Sequence, residues 1–375
     1  MNSEKKLGFG LMRLPLTNPE VDTSIDIEQC CKMTDTFLER GFTYFDTAWM
    51  YHNFTSEKAV KEFLVNRHPR ESFTLTSKLH GGFFDDLEGR DRIFNEQLEK
   101  TGAGYFDYYL IHDINHGNYE KYLKLDCFNW LKAKKEVGLV KHMGFSFHGD
   151  APLLERVLTE QPDIEFVQLQ INYLDWESDN VQSRKCYELC EKFDKKVIVM
   201  EPVKGGNLAN LPQYISEPMT KMHPDWSLSS WAVRFAASHK NIFMVLSGMS
   251  NIAQLEDNTA YMQNFEPLND EEIAVLMEAA EKIRKDIAVP CTGCSYCTSG
   301  CPMQIAIPKY FELYNNDKKI IKEWGWKEKR AEYEELTKTF GCAGECIGCG
   351  QCEGICPQHL PIVSKLQEVA AHYGK

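Results

Sequence analysis

The feature that most constrains this chain is a pair of cysteine runs near its end. Cys291, Cys294, Cys297 and Cys301, followed by Pro302, are separated by two, two and three residues. The spacing returns at Cys346, Cys349, Cys352 and Cys356, followed by Pro357. This is the run that holds paired [4Fe–4S] cubes, in which three thiolates of one run bind one cube and the fourth reaches across to the other. The expected ligand sets are therefore Cys291, Cys294, Cys297 and Cys356 for one cluster, and Cys346, Cys349, Cys352 and Cys301 for the second. A short glycine-bearing loop can wrap three thiolates around three corners of a cube, and the distant fourth thiolate locks the two loops together. Structural zinc would ask for two CxxC pairs well apart in sequence. Two complete runs that each end in Cys-Pro favour clusters.

The rest of the composition narrows the setting. With 375 residues, 26% charged and 43% hydrophobic, the chain can build two or three domains with sizeable cores. A net charge of −13 argues against a nucleic-acid partner, which needs an excess of Lys and Arg. The basic Lys318–Arg330 stretch reads as a solvated surface segment. The start, Met1-Asn-Ser-Glu-Lys-Lys, has no apolar signal core, and no stretch approaches the roughly 20 apolar residues of a membrane span. Nine of 14 cysteines follow residue 290. The expectation is a reducing cytoplasm, with Cys30, Cys31, Cys127, Cys186 and Cys190 as small buried apolar groups on or beside helices, and Cys342 outside both runs.

Before residue 286 short apolar runs alternate with longer amphipathic ones, the rhythm of a parallel sheet wrapped by helices. The pattern predicts strands at Leu7–Leu14, Thr43–Asp46, Phe73–Lys78, Phe106–His112, Met143–Ser146, Phe166–Ile171, Val197–Met200 and Ile242–Ser247. Helices are expected between them, with one face of the first marked by Ile27, Cys30, Thr34 and Phe37, and the second opened by Ser56-Glu57. Eight units in about 260 residues match a (β/α)8 TIM barrel. Asn269-Asp-Glu-Glu272 then looks like a helix start, with Asn269 as cap and Glu272 reaching back. The predicted division is a barrel with a terminal helix at 1–286 and a small, mainly helical dicluster domain at 287–375. The long insert between the two runs is expected to form short helices.

Three ionisable residues lie where predicted strands end: Asp46, Lys78 and His112. In such a barrel these ends form the active-site face, so neighbours in strand order should converge there. Tyr51 follows Asp46 on the loop above. A phenol's unperturbed pKa of about 10 is high for proton donation near neutrality. A nearby lysine cation would lower it, and an aspartate would hold that lysine charged. The expected roles are Tyr51 as acid, Lys78 as its tuner, Asp46 as the anchor of Lys78, and His112 as the group that orients a carbonyl oxygen. Taken singly, each could be an ordinary cap or rim residue. Four compatible groups on three adjacent strand ends favour catalysis.

Phe45-Asp-Thr-Ala-Trp-Met-Tyr51 with Ser56-Glu57, Thr76-Ser-Lys78 and Tyr109-Leu-Ile-His112 closely resemble the aldo/keto reductases. The resemblance, over roughly residues 7–265, implies a catalytic tetrad of Asp46, Tyr51, Lys78 and His112. It further implies nicotinamide contacts at Ser146, Gln168, Asn172 and Met200, and phosphate contacts at Ser247, Ser250, Gln254 and Asn258. Met200-Glu-Pro-Val-Lys-Gly-Gly206 and the cysteine runs are similar to the subgroup with a C-terminal ferredoxin-type domain. There are departures. Gln254 stands where the family commonly has an arginine for the 2′-phosphate of NADP, Gly248 where a lysine is frequent, Phe147 where an asparagine helps hold the carboxamide, and Met200 where an aromatic stacks on the nicotinamide. They predict no preference for NADP over NAD. Neutral donors at Ser247, Ser250, Gln254 and Asn258 could also hold a diphosphate or a flavin phosphate, and turn capping is their plain alternative.

Hydride moves two electrons at once, whereas each cube passes one. Three readings follow. In the first, a carbonyl or alcohol oxidoreductase uses NAD(P)H and carries clusters that serve a ferredoxin partner or stabilise the fold. In the second, a ferredoxin-coupled reductase feeds a flavin, or the substrate itself, through the clusters. In the third the barrel is a scaffold for a non-catalytic electron-transfer subunit. The intact tetrad argues against the third. The first is the leading expectation, with the second as its alternative.

Overall fold

The computed structural model describes residues 5–324 and 329–374. The Lys318–Arg330 stretch therefore lies partly outside the described residues. Eight parallel strands close into a barrel in chain order: β1 Leu7–Gly10, β2 Tyr44–Asp46, β3 Thr74–His80, β4 Phe106–Ile114, β5 Val140–Phe147, β6 Phe166–Gln170, β7 Lys196–Met200 and β8 Ile242–Gly248. β8 pairs with β1, so no sheet edge is left open. This is the (β/α)8 architecture expected from the βα rhythm. The first strand is shorter than expected: after Gly10 the chain tightens into a 3-10 turn over Leu11–Arg13.

Strand alternation sorts the side chains. Outward residues such as Phe9, Phe45, Tyr109 and Val167 join one large core with the surrounding helices. Inward residues Tyr44, Tyr108, Leu110, Phe166, Ile198, Phe243, Met244 and Leu246 form a separate cluster that plugs the barrel. Gly144 makes room for it, since a Cβ there would stand 2.5 Å from the Phe166 ring. The next inward positions toward the strand ends are Asp46, Lys78, His112, Gln168, Gln170 and Met200. The period of two thus places polar chemistry directly above an aromatic floor.

The wall includes helices at Ile27–Glu39, Leu87–Thr101, Cys127–Glu136, Ala151–Glu160, Ser183–Lys192 and Leu228–Ser238. Gly102, at φ +65°, ends the second of these in a left-handed turn that its neighbours could not take cheaply. Helices at Tyr119–Lys124, Gln213–Met222 and Ile252–Gln263 were not signalled by periodicity. The expected capping box at Asn269 and Glu272 is present and opens Asp270–Asp286. This helix buries Leu276, Ala280 and Ile283 in the main core.

A second core begins at Val289 and includes Ile307, Phe311, Leu360, Leu366 and a stacked Tyr333–Tyr373 pair at 4.4 Å. The insert between the cysteine runs is not a set of short helices only. An 18-residue helix, Ile307–Trp324, starts six residues after Cys301, and Arg330–Leu336 follows. The length has a use: Ile307, at its start, borders both cysteine-lined cavities described below. Among the described residues no helix is long and apolar enough to cross a membrane.

Candidate active site and cluster sites

Lys78 is fully buried, and its Nζ donates to Asp46 Oδ1 at 2.5 Å, to the Thr47 carbonyl at 2.7 Å and to Tyr51 Oη at 3.4 Å. Burial pushes both members of the Lys78–Asp46 pair toward their neutral forms, and the attraction between them opposes it. The motif residues around Lys78 serve its placement. Glu57 Oε1 accepts from Ser77 Oγ and Gln97 Nε2, both at 2.7 Å, while Gln97 Nε2 also reaches the Lys78 carbonyl at 3.1 Å and Tyr109 Oη donates to Gln97 Oε1. These bonds share one buried cluster and fix its geometry, although Glu57 Oε2 is itself buried without a partner.

Tyr51 does not show the acidification expected from Lys78. Burial, with the carboxylates of Asp46 and Glu201 adding to it, pushes the phenol well above its ordinary value. At neutral pH Tyr51 is therefore a protonated donor in the ligand-free site. Three consecutive residues after it, His52, Asn53 and Phe54, have positive φ. Such conformations cost roughly 1–2 kcal/mol each for residues with a Cβ. His52 helps to hold the bend, accepting from the Leu14 N–H at 3.1 Å and facing the Asp22 carbonyl at 2.9 Å. His112 is held neutral by burial first, and by His80, Lys78 and His148 after it. Its ring stands edge-on to Tyr51 with centroids 6.3 Å apart.

A cavity of about 340 Å³ opens above the tetrad. Asp46, Tyr51 and His112 line it, as do Gln168, Met200, Ser247, Ser250, Gln254 and Asn258 from the expected nucleotide set. The remaining two, Ser146 and Asn172, are not among its lining residues. Ser146 Oγ accepts from the Asp113 N–H at 2.7 Å, and Asn172 donates to Asp175 at 2.8 Å and to the Glu201 carbonyl at 3.1 Å. Among the residues expected to contact phosphate, Ser250 Oγ donates to the Arg13 carbonyl, Gln254 Oε1 accepts from the Ser250 N–H, and Asn258 Nδ2 donates to Ser247 Oγ.

The far wall of this cavity comes from the cysteine domain: Cys294, Tyr296, Pro357 and Gln358. Sequence reasoning did not anticipate that placement, nor the roles of Arg13, Gln170, Glu201 and Gln358. Gln358 and Gln170 exchange amide hydrogen bonds at 2.9 and 3.0 Å. Lys204 Nζ donates to Gln358 Oε1 at 2.8 Å while paired with both oxygens of Asp175 at 2.7 and 2.8 Å. Arg13 donates to the Thr292 carbonyl at 3.2 Å, and Asn207 to the Cys291 carbonyl at 3.0 Å. The cysteine domain is thus bonded onto the C-terminal end of the barrel strands, over the cavity.

The thiols sort into two sets. Cys291, Cys294, Cys297 and Cys356 border one cavity, and Cys301, Cys346, Cys349 and Cys352 border another. Each set takes three thiols from one run and one from the other, which suits a cube with a crossing fourth ligand. A tetrahedral ion would instead draw its ligands to one point. Cys342 borders neither cavity. Cys30, Cys127, Cys186 and Cys190 are buried as expected and Cys31 is half-buried; burial pushes the Cys30 and Cys127 thiols up to about 12, leaving them inert.

Comparison with known proteins agrees with these features. The aldo/keto reductase family model matches residues 6–281, and the 4Fe-4S dicluster domain model matches residues 290–360. An uncharacterized oxidoreductase, YqkF, of Bacillus subtilis (strain 168) is 23% identical over 274 residues, covering 64% of this chain and 84% of that protein. Among solved structures, an aldo-keto reductase from Bacillus halodurans in its holo form aligns with a TM-score of 0.59 at 21% identity, over 73% of this chain and 91% of that one. An aldo/keto reductase from Klebsiella pneumoniae in complex with NADP and acetate aligns at 0.58 and 16% identity, over 73% and 90%. At these identities the solved structures speak for the fold alone. With its closed barrel and the match across most of its length, the chain belongs to the aldo/keto reductase family of oxidoreductases and carries a C-terminal 4Fe-4S dicluster domain.

Proposed function

We propose that the protein reduces a small-molecule carbonyl in the cavity above Tyr51, and that the reducing electrons enter through the dicluster domain. The observation that carries this reading is the shared cavity: Asp46, Tyr51 and His112 line one side, and Cys294, a thiol of the inner cysteine set, lines the other. Cys291, Cys294, Cys297 and Cys356 would hold the inner cube, and Cys301, Cys346, Cys349 and Cys352 the outer one. When bound, such clusters supply electrons one at a time. The outer set includes the exposed Cys349, and the neighbouring Ile347 is 64% exposed, which suits electron entry from a ferredoxin or another one-electron protein.

The residues divide the remaining work. Tyr51 holds the proton for the carbonyl oxygen. Neutral His112 hydrogen-bonds and orients that oxygen, and the positive charge of Lys78 stabilises the phenolate that forms as the proton leaves. Asp46 keeps Lys78 charged and placed. Enclosure between barrel and cap limits water around the transfer.

A second reading rests on the other wall of the cavity. Ser247, Ser250, Gln254 and Asn258 line it, and Arg13 adds a cation. There a nicotinamide nucleotide would supply hydride, and the Klebsiella relative is a structure with NADP. Deuterium labelling separates the two. Ketone reduction by the anaerobic holoprotein in heavy water, driven by a reduced viologen, should place deuterium on the carbinol carbon. Protium there with NADPH or NADH, and no turnover with the dye, would overturn the first reading in favour of hydride. Under either, Tyr51→Phe should nearly abolish turnover, because the acid is lost with little volume.

A further inference from the structure

Glu201 sits just beyond β7 with φ +56°, a left-handed conformation that few residues with a Cβ adopt. Its backbone is held there from two sides, by Asn172 and by the Lys204 N–H, both donating to its carbonyl at 3.1 and 3.0 Å. The side chain lines the cavity, and Oε2 is buried without a hydrogen-bond partner in the protein. A strained backbone at the cavity wall, carrying a carboxyl with one buried and unpartnered oxygen, is the kind of outlier from which function is inferred. Burial is the largest influence on it and favours the acid, as does Asp175; Arg13, Lys204 and a hydrogen bond from the Gly205 N–H favour the carboxylate, and the net direction is upward. Glu201 in turn bears on Tyr51, Cys294 and Tyr296.

Resting on the reading that electrons arrive singly, the proton inventory requires a second donor. Reduction of a ketone to a secondary alcohol takes two electrons and two hydrogens. With hydride, one hydrogen travels with the electron pair and the enzyme supplies one proton, from Tyr51. With one-electron donors both hydrogens arrive as protons. Asp46 also lines the cavity and its Oδ2 is likewise unpartnered, but its Oδ1 is held by the Lys78 ammonium at 2.5 Å, which keeps it the anchor of Lys78. We propose that Glu201 is a second catalytic acid, giving the proton that becomes the carbon-bound hydrogen while Tyr51 protonates the oxygen. The two electrons come from the external one-electron reductant, one proton leaves Tyr51 Oη, one leaves the Glu201 carboxyl, and both groups recover their protons from solvent. Arg13 and Lys204 then stabilise the carboxylate left behind.

The test is Glu201→Gln in the anaerobic holoprotein, with Glu201→Asp and Tyr296→Phe beside it. Dye-driven ketone reduction should fall about a hundredfold or more in Glu201→Gln, the usual worth of a general acid, and recover in part in Glu201→Asp. Residual product formed in heavy water should lose stereochemical purity at the carbinol carbon, since delivery from one face is gone. Infrared difference spectra of the resting protein should lose one protonated-carboxyl band in Glu201→Gln. Wild-type turnover and stereochemistry in Glu201→Gln would overturn this assignment while leaving the cluster-fed reading in place. So would a loss confined to Tyr296→Phe, which would move the role to that phenol. No dye-driven turnover in the wild type would instead remove the reading on which it stands.

Discussion

Gly205 and Gly206 offer a controlled perturbation of the seam between barrel and cap. Both have positive φ, +64° and +96°, so alanine at either incurs a left-handed penalty on the order of 1–2 kcal/mol. Their surroundings differ. A Cβ on Gly205 would lie 2.3 Å from the Thr292 carbonyl oxygen and 3.0 Å from both the Thr292 carbonyl carbon and Cβ, whereas one on Gly206 meets nothing within 4 Å. The Thr292 oxygen belongs to a backbone carbonyl and must retreat. With it goes the hydrogen bond from Arg13, and the neighbouring bond from Asn207 to the Cys291 carbonyl is strained. A charged hydrogen bond is worth about 1.5–3 kcal/mol and a neutral one about 0.5–1.5, so Gly205→Ala should loosen the cap by about 2–4 kcal/mol beyond Gly206→Ala. At 1.4 kcal/mol per factor of ten, the open fraction should rise roughly thirtyfold to a thousandfold.

Limited native proteolysis at residues 287–290 reads that fraction, because cleavage there tracks transient opening when reclosure is fast. Cleavage of Gly205→Ala should be faster by the stated factor, with the barrel's own unfolding close to that of Gly206→Ala. Arg13→Ala and Asn207→Ala should each reproduce part of the effect. Equal cleavage rates for the two glycine variants would refute the claim that the Thr292 carbonyl is a docking contact.

Four other outcomes follow from the site. Anaerobically prepared protein should contain about eight iron and eight sulfide per chain, unchanged in Cys342→Ser and lowered in Cys356→Ser, as iron and acid-labile sulfide assays would show. Lys78→Met should cost about 3–5 kcal/mol in urea unfolding, because Asp46 is left as an unpaired buried charge, and Asp46→Asn in the same background should return much of it. Gln254→Arg should shift fluorescence-titrated preference toward NADPH over NADH by about tenfold or more, since a charged contact to the 2′-phosphate is gained. Lys204→Met should weaken cap docking through the loss of its bond to Gln358 and should leave Asp175 without its counter-ion, raising the proteolysis rate of the linker.

Chain order was enough to read the barrel, because its strands are buried on both faces and each is a short apolar run set off by turn residues. The same legibility extended to Asp46, Lys78 and His112, which alternation turns inward. It failed where a contact joins distant segments. The Gln213–Met222 helix carries Pro218 in its interior, and the Ile252–Gln263 helix buries only Leu255, Asn258, Thr259 and Met262, so neither shows a wide apolar stripe. Tyr51's upward shift was missed for a different reason. Proximity to Lys78 was visible in the motif, but burial, which dominates, is a property of the closed mouth. Asn172 reads as a ligand contact by position, yet its amide is spent on Asp175, whose role appears only when Lys204 is seen beside it.

Where the cap sits follows from the crossing of the fourth ligand. Cys356 belongs to the second run in sequence but borders the inner cavity with the first run. Gln358 is two residues beyond it, and Gln358 is the residue that bonds to Gln170 on β6 and to Lys204 after β7. On the other flank, Cys291 and Thr292 meet Asn207 and Arg13. The inner set is therefore pinned to the barrel through both runs at once, by residues beside its own thiols. Shift either run by one residue and a docking contact is lost along with a ligand. A cluster bound by the inner set would therefore favour the docked cap, since a bound metal group stabilises the state that presents its ligands together. Apoprotein should accordingly show the linker cleavage of Gly205→Ala without any substitution, and reconstitution with iron and sulfide should restore protection in step with cluster absorbance. Protection that returns before the clusters form would show that the polar contacts dock the cap unaided.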